Sequence, residues 1–230
     1  MLKLDVRLQW RYGFYYAAAF SIIVWEVLVL LVPDQLRHTA MPYIVFGDSV
    51  IIGYFFIAGA VFFEKGERTL FALLTTPVRF GHYLAGKLGT LGLLSLVAAF
   101  LVVGAGVGLD FGVLALMVAV VLCTQLFLLA AFITAAPFPS ITDWLIPSTA
   151  VIAALSVPLL YYSGLWEHPV LYAIPTQGSL LLLGSAFDQV SLPAWQVGYS
   201  VGYQLLWIAG LILLARRVFD RYVIAREGSE

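Results

Sequence analysis

Residues 113–135, VLALMVAVVLCTQLFLLAAFITA, contain no charged side chain. A helix rises about 1.5 Å per residue and the hydrocarbon core of a bilayer is about 30 Å thick, so a run of this length crosses a membrane. Five further apolar stretches approach that length: 14–32, 43–63, 84–108, 146–162 and 195–215. Of the 230 residues, 62% are hydrophobic, against roughly 45–50% in soluble domains. Little chain is left for a water-soluble unit. The expected architecture is an all-α integral membrane protein with six transmembrane helices, forming one domain over residues 1–230.

Charge narrows the function classes. A net charge of -1 gives nucleic-acid binding no electrostatic footing. The single cysteine, Cys123, lies inside an apolar run, which excludes internal disulfides and points to packing. Lys3, Arg7 and Arg11 precede the first apolar run as in a secretory signal. That run is about 19 residues long, contains Glu26 and lacks a small-residue cleavage pattern, so it reads as a retained span.

Lys and Arg accumulate on the cytoplasmic flanks of membrane helices. Six spans place the N-terminus, the 64–83 and 136–145 loops and the 216–230 tail on one side, with eleven of the twelve cations if Lys87 is counted. Only Arg37 falls on the other side. Both termini are therefore expected in the cytoplasm. Segment 163–193 is apolar enough to suggest a seventh span, but Pro169, Pro175 and Gly178 interrupt it. A seventh crossing would also carry the C-terminal arginines outside. The segment reads as an external re-entrant or interfacial hairpin of short helices, whose irregular backbone must be wet or covered by protein.

The N-terminus, MLKLDVRLQWR, alternates apolar and polar residues with the period of a strand. A lone strand would leave its backbone unsatisfied at a membrane surface. As a helix over residues 1–12, it places Lys3, Arg7 and Arg11 in one cationic stripe, with Trp10 as an interfacial anchor. The helix is the favoured reading.

The break between the second and third apolar stretches, EKGERTLFALLTTPVRFGHYLAGK (residues 64–87), holds four cations. Leu70, Leu73 and Leu74 fall at i, i+3 and i+4, Glu64 and Glu67 stand near the positive end of a short helix, and Pro77 stops it. Such an amphipathic helix fits a groove on a soluble partner. A solvated connector whose leucines rest on the bilayer fits the spacing equally well. The stretch resembles the cytoplasmic segment of ATP-binding-cassette exporter permeases of the type 2 class. There an acidic-basic pair, a T-L dipeptide, a Leu-rich turn, a T-P stop and a later Lys recur. Glu64, Lys65, Thr69, Leu70, Leu73, Leu74, Thr76, Pro77 and Lys87 match that pattern; Arg68 to Phe71 depart from the usual G-T-L-E. The resemblance implies that the segment, Glu67 included, is a coupling helix contacting an ATPase subunit. The order of a surface helix, six spans and an interrupted hairpin before the last span is similar to the same family. RLQWRYGFYYAA (residues 7–18) resembles its subset of fluoroquinolone or other drug-export permeases.

No phosphate-binding G-x-x-x-x-G-K-[ST] loop is present, since Leu88 follows Gly86 and Lys87. ATP hydrolysis by that route is excluded for this chain, and no cofactor is expected. The resemblance implies two copies of a separate ATPase, a second permease copy or homologue, a drug-like or lipid-like small-molecule cargo moved outward, and a bacterial or archaeal cell membrane. A non-transporting membrane anchor that docks a cytoplasmic partner is the alternative.

Within the spans, ionisable groups are costly and commonly face a cavity. Glu26 and Asp48 are expected at similar depth across the first hairpin, where they share a proton, attract a cation or are satisfied by neighbours such as Ser49. An intramembrane enzyme needs more convergent groups than these two. His38, His82 and His168 fall in three separate loops and cannot meet as a metal site. Gly104, Gly108 and Gly112, and Gly198 with Gly202, suggest close packing within the chain or a dimer seam. Pro158 is expected to kink the fifth span, Asp143 to start it with Trp144 as an interfacial belt residue, and Tyr161, Tyr162 and Trp166 to form the belt at its other end.

Overall fold

A computed structural model describes residues 2–67 and 80–224. Among these residues every regular element is helical, and six helices are long and apolar enough to cross a membrane. A surface helix, Leu2–Arg11, precedes the first span, Phe14–Leu31. The turn between them needs Gly13, whose φ of 78° is left-handed backbone that glycine adopts freely. The second span runs from Asp34 to Gly66, the third from Phe80 to Val107 and the fourth from Val113 to Ala135. The fifth covers Ile141–Tyr162 and the sixth Ala194–Tyr222. A 3-10 turn, Pro169–Ala173, and a helix, Thr176–Ala186, lie between the last two. The basic residues of the N-terminus, of residues 65 and 87 and of the last span gather at one end of the bundle, here called the basic end.

The surface helix resolves the alternating pattern of its sequence. Asp5 and Gln9, at i and i+4, are buried against the third span, while Leu4, Val6 and Trp10 are exposed. Its docking face is polar, and its apolar residues are left for a lipid surface.

The second span starts nine residues before the apolar run at Tyr43, because Asp34, Arg37 and His38 extend the helix beyond the hydrophobic stretch. Pro42 removes a donor to the carbonyl of His38, and the Gln189 Nε2 amide donates to that oxygen instead. Arg37 pairs with Asp34 at 2.7 Å and donates through Nε to the Val29 and Val32 carbonyls, closing the end of the first span. Residues Ile51–Phe56 widen into a π-helical segment. There Gly53 meets the fourth span so closely that a Cβ would stand 2.9 Å from Phe127 Cβ. Such segments recur at functional sites in helices.

The fourth span is the bundle's axis, packed by the second, third and sixth spans and by the re-entrant helix. Ser95 and Thr124, both fully buried, join the third and fourth spans through a 2.8 Å hydroxyl pair. Trp144, expected as a belt residue, is instead fully buried, stacked on Tyr54 at 5.5 Å and donating to Thr134 Oγ1. A core position satisfies both its ring and its N–H. Asp143 does sit in the first helical turn, where its N–H bonds the Ser140 side chain at 3.2 Å. The fifth span breaks at Val157, before Pro158, and the Thr176 hydroxyl donates to the Leu155 carbonyl near the break.

The 163–193 hairpin does not cross. Its helix Thr176–Ala186 is buried along nearly its whole length between the fourth and sixth spans. The irregular backbone ahead of it is largely exposed, but two of its carbonyls are satisfied by the sixth span: Tyr199 Oη donates to that of Tyr172 at 2.6 Å and Tyr203 Oη to that of Ala173 at 2.8 Å. Gly112 N–H closes its far end on Ala186 O at 2.7 Å.

The glycine series divides. Among the described residues, nothing beyond the local backbone lies within 4 Å of a Cβ added at Gly104, Gly108, Gly198 or Gly202. Packing within the chain does not explain them. The first, fifth and sixth spans are mostly uncovered by the rest of the chain. Gly198→Ala and Gly202→Ala are expected to leave the monomer as stable as the parent or up to about 1 kcal/mol more stable, read by thermal unfolding in detergent.

Candidate functional site

The segment read as a coupling element divides at the limit of the described residues. Thr69, Leu70, Leu73, Leu74, Thr76 and Pro77 lie outside them. Glu64, Lys65 and Glu67 are described, together with Lys87 on the far side of the loop. Glu64 and Lys65 belong to the last turn of the second span, and Glu67 follows it. Successive residues of a helix turn by about 100°, so side chains at 64, 65 and 67 leave the axis in three directions. Each meets a different element.

Glu64 points inward and is 2% exposed. Its Oε1 accepts from Lys87 Nζ at 2.5 Å and its Oε2 from Tyr83 Oη at 2.7 Å, both on the third span. Lys87 also stands 3.8 Å from Asp5 Oδ1 on the surface helix, and Asp5 and Lys87 are themselves buried. The cluster binds the two helices that flank the loop, and it binds the N-terminal helix to both. Burial pushes the Asp5 carboxyl above its ordinary value of 3.8, Lys87 opposes that shift and Glu64 adds to it.

Lys65 turns toward the fourth span. Its Nζ donates to the carbonyls of Ala135, Ala136 and Phe138 at 3.0, 2.8 and 2.8 Å. An ammonium here satisfies orphan carbonyls and complements the negative end of the helix dipole. Glu67 turns toward the surface helix, accepting from Arg11 at 2.7 Å and from Tyr12 Oη at 2.9 Å. Gln9 adds a 2.6 Å bond to Thr90 Oγ1 one turn beyond Lys87. The base of the 68–79 stretch is thereby fastened to the third span, the fourth span and the N-terminal helix.

Asp5, Gln9, Tyr83 and Thr90 were not singled out from the sequence. The signal available was the i, i+4 spacing of Asp5 and Gln9 on one face and of Tyr83 and Lys87 on another.

The raised Asp5 value sets a pH dependence. A carboxyl whose folded value exceeds its unfolded one stabilises the fold below the unfolded value and loses that contribution as pH rises through the folded one. Docking of the surface helix is therefore expected to be tighter near pH 4 than near pH 7. Asp5→Asn is expected to flatten that slope, as measured by the rate of proteolysis at residues 1–12 across pH.

Glu26 and Asp48 do not meet. Asp48, 1% exposed, accepts from Ser21 Oγ at 3.2 Å and faces the Trp25 side chain. That bond fixes the register of the first two spans, and Glu26 stands five residues, about 7.5 Å, further toward the opposite end. The similar depth expected for them fails because the second span begins at Asp34. Among the described residues no group of three or more His, Cys, Asp or Glu side chains is placed to hold a metal ion.

The model of the fluoroquinolones export permease protein family matches residues 1–227. Two curated relatives, each named a fluoroquinolones export permease protein, come from Mycobacterium tuberculosis strains CDC 1551 and H37Rv. Each is 49% identical over 228 residues, covering 99% of this chain and 96% of the relative. No solved structure matches. A match that runs through the surface helix, all six spans and the re-entrant helix settles the assignment: the chain belongs to the fluoroquinolones export permease protein family.

Proposed function

We propose that the chain is the membrane-spanning permease of a drug exporter of the ATP-binding-cassette type, moving fluoroquinolone-like cargo outward. A separate ATPase supplies the energy, in two copies, against two permeases. The basic end faces the cytoplasm in this reading, consistent with the positive-inside rule. One observation carries it. The residues that flank the 68–79 stretch are fastened to three elements, and Leu70, Leu73 and Leu74 fall at i, i+3 and i+4 in the sequence between them. A push on that stretch is delivered to the third and fourth spans rather than absorbed in a loop. Glu64, Lys65 and Glu67 act here as the anchors of the lever, and residues 69–77 as its contact face. The bonds at its base make the plain-connector reading the weaker one.

Glu26 and Asp48 take separate roles in this scheme. Asp48 holds the first span to the second, whereas Glu26, only partly buried, remains available to a cationic part of the cargo. Glu26→Gln is expected to change the preference between cationic and neutral drugs in an export assay, and Asp48→Asn to leave it unchanged.

The docking test uses Leu70→Asp with Leu73→Asp. Two carboxylates on the apolar stripe carry a desolvation cost against any groove. Membrane insertion is expected to be normal and copurification with the ATPase subunit to be lost. Unchanged copurification would show that the stretch is a connector.

A further inference from the structure

At the end opposite the basic one, the outer turn of the fifth span, the hairpin and the start of the sixth span line an open cleft of about 290 Å³. Tyr161, Tyr162 and Tyr172 contribute aromatic rings, Glu167 a carboxylate, and Gln189 and Gln196 amides. None of the lining residues is cationic.

The walls are fixed by bonds that reach three parts of the fold. Tyr162 Oη donates to Gln189 Oε1 at 2.7 Å, and Gln189 Nε2 donates to the His38 carbonyl that Pro42 leaves free. Gln196 Nε2 donates to Tyr172 Oη at 3.2 Å. Tyr161 and Tyr172 meet edge to face, with centroids 5.6 Å apart at 87°. Tyr43 of the second span backs Tyr162 edge to face at 5.2 Å. Among the described residues, Asp188, next to Gln189, is the one non-glycine with positive φ, at 54°. A residue held there indicates a backbone set by its surroundings.

Three tyrosine rings and one carboxylate line the cleft with no cation among them, a lining suited to positive charge. Burial raises the Tyr172 phenol to about 12, with Tyr161 adding to the shift, so the ring stays neutral at physiological pH. Quaternary and protonated amines bind such linings through the ring quadrupoles, within about 6 Å of a centroid. The cleft's volume lies at the lower end of the roughly 300 to 1,000 Å³ of drug-sized sites, room enough for an organic ammonium head group.

We propose that the Tyr161, Tyr162, Tyr172 and Glu167 cleft is a binding site for organic ammonium cations. If the export reading holds, it is the last station for cargo that carries an amine; that role rests on the export reading, whereas the binding itself does not.

The experiment is calorimetry on the full chain in lipid nanodiscs, with no ATPase present. Choline and 3,3-dimethylbutan-1-ol serve as probes because they share a shape and differ in charge. Choline is expected to bind saturably, and the neutral alcohol at least about 10-fold more weakly. Glu167→Gln, an exposed position without a structural bond to lose, is expected to reduce choline affinity about 10-fold with unchanged thermal stability. Tyr172→Ala is expected to reduce it similarly, and Tyr172→Phe to retain it. Equal affinity for the two probes, no saturable choline binding, or full affinity in both Glu167→Gln and Tyr172→Ala would overturn the proposal. Loss of export with choline binding intact would count against the export reading alone.

Discussion

Replacing Lys87 with methionine is expected to destabilise the basic end of the bundle by about 3–5 kcal/mol, the usual cost of leaving a buried charge without its partner. Among the described residues, Lys87 is the cation placed between Glu64 and Asp5, and all three side chains are nearly inaccessible. Methionine has similar length and packs well, so the loss reports charge rather than volume. Adding Glu64→Gln should recover part of the stability, because the amide removes one of the two buried carboxylates and still accepts from Tyr83. Thermal unfolding in detergent of the parent, the two single variants and the double variant closes the cycle. A Lys87→Met variant as stable as the parent would mean that the cluster is solvated. By contrast, Arg11→Gln, which breaks a pair with side chains 66% and 31% exposed, is expected to cost no more than about 1 kcal/mol.

The second large effect is expected at Gly178 of the re-entrant helix. A Cβ there would stand 2.8 Å from Ser200 Cα and 2.9 Å from Ser200 O, backbone atoms of the sixth span that cannot turn aside. Gly178→Val must therefore move the hairpin away from the span. Overpacking of this kind costs about 1–3 kcal/mol or more. It also strains the 2.6 Å bond between Ser179 and Gln204, which joins the same two elements. The expected readouts are a lower unfolding temperature and faster proteolysis within 163–193. Gly202→Ala, on a face with nothing nearby, is the control for helix propensity in the sixth span. Equal behaviour of the two variants would show that the re-entrant helix is not seated against the sixth span.

Composition made six spans legible, because an uncharged run of about 20 residues has few other uses. Ends were less legible. Polar residues Asp34 to His38 hid the first turns of the second span, since a helix that leaves the hydrocarbon keeps its hydrogen bonds but loses its apolar signature. Pro169, Pro175 and Gly178 announced a hairpin that fails to cross. They did not announce that Tyr199 and Tyr203 satisfy its carbonyls, because partners some 30 residues apart leave no periodic trace. Trp144 misled for a related reason: at the start of a span a tryptophan suits the interface, and only the Tyr54 ring and the Thr134 hydroxyl draw it inward.

At the candidate site, the cation density of residues 64–87 was visible, but its purpose was only half so. Glu64 and Glu67 looked like charges at the positive end of a loop helix. Glu64 lies instead in the last turn of the second span, Glu67 just beyond it, and both are consumed in bonds to neighbouring helices. Linear spacing gives the direction in which each side chain leaves the axis, not what waits there. Glu26 and Asp48 show the same limit, since their relative depth depended on one loop's length.

The most direct measurement is drug uptake into everted membrane vesicles that contain the chain with and without a candidate ATP-binding-cassette subunit. ATP-dependent accumulation of a fluoroquinolone is predicted only when both polypeptides are present, and it should vanish with Leu70→Asp and Leu73→Asp. Accumulation of equal size with the chain alone, or without nucleotide, would contradict the account.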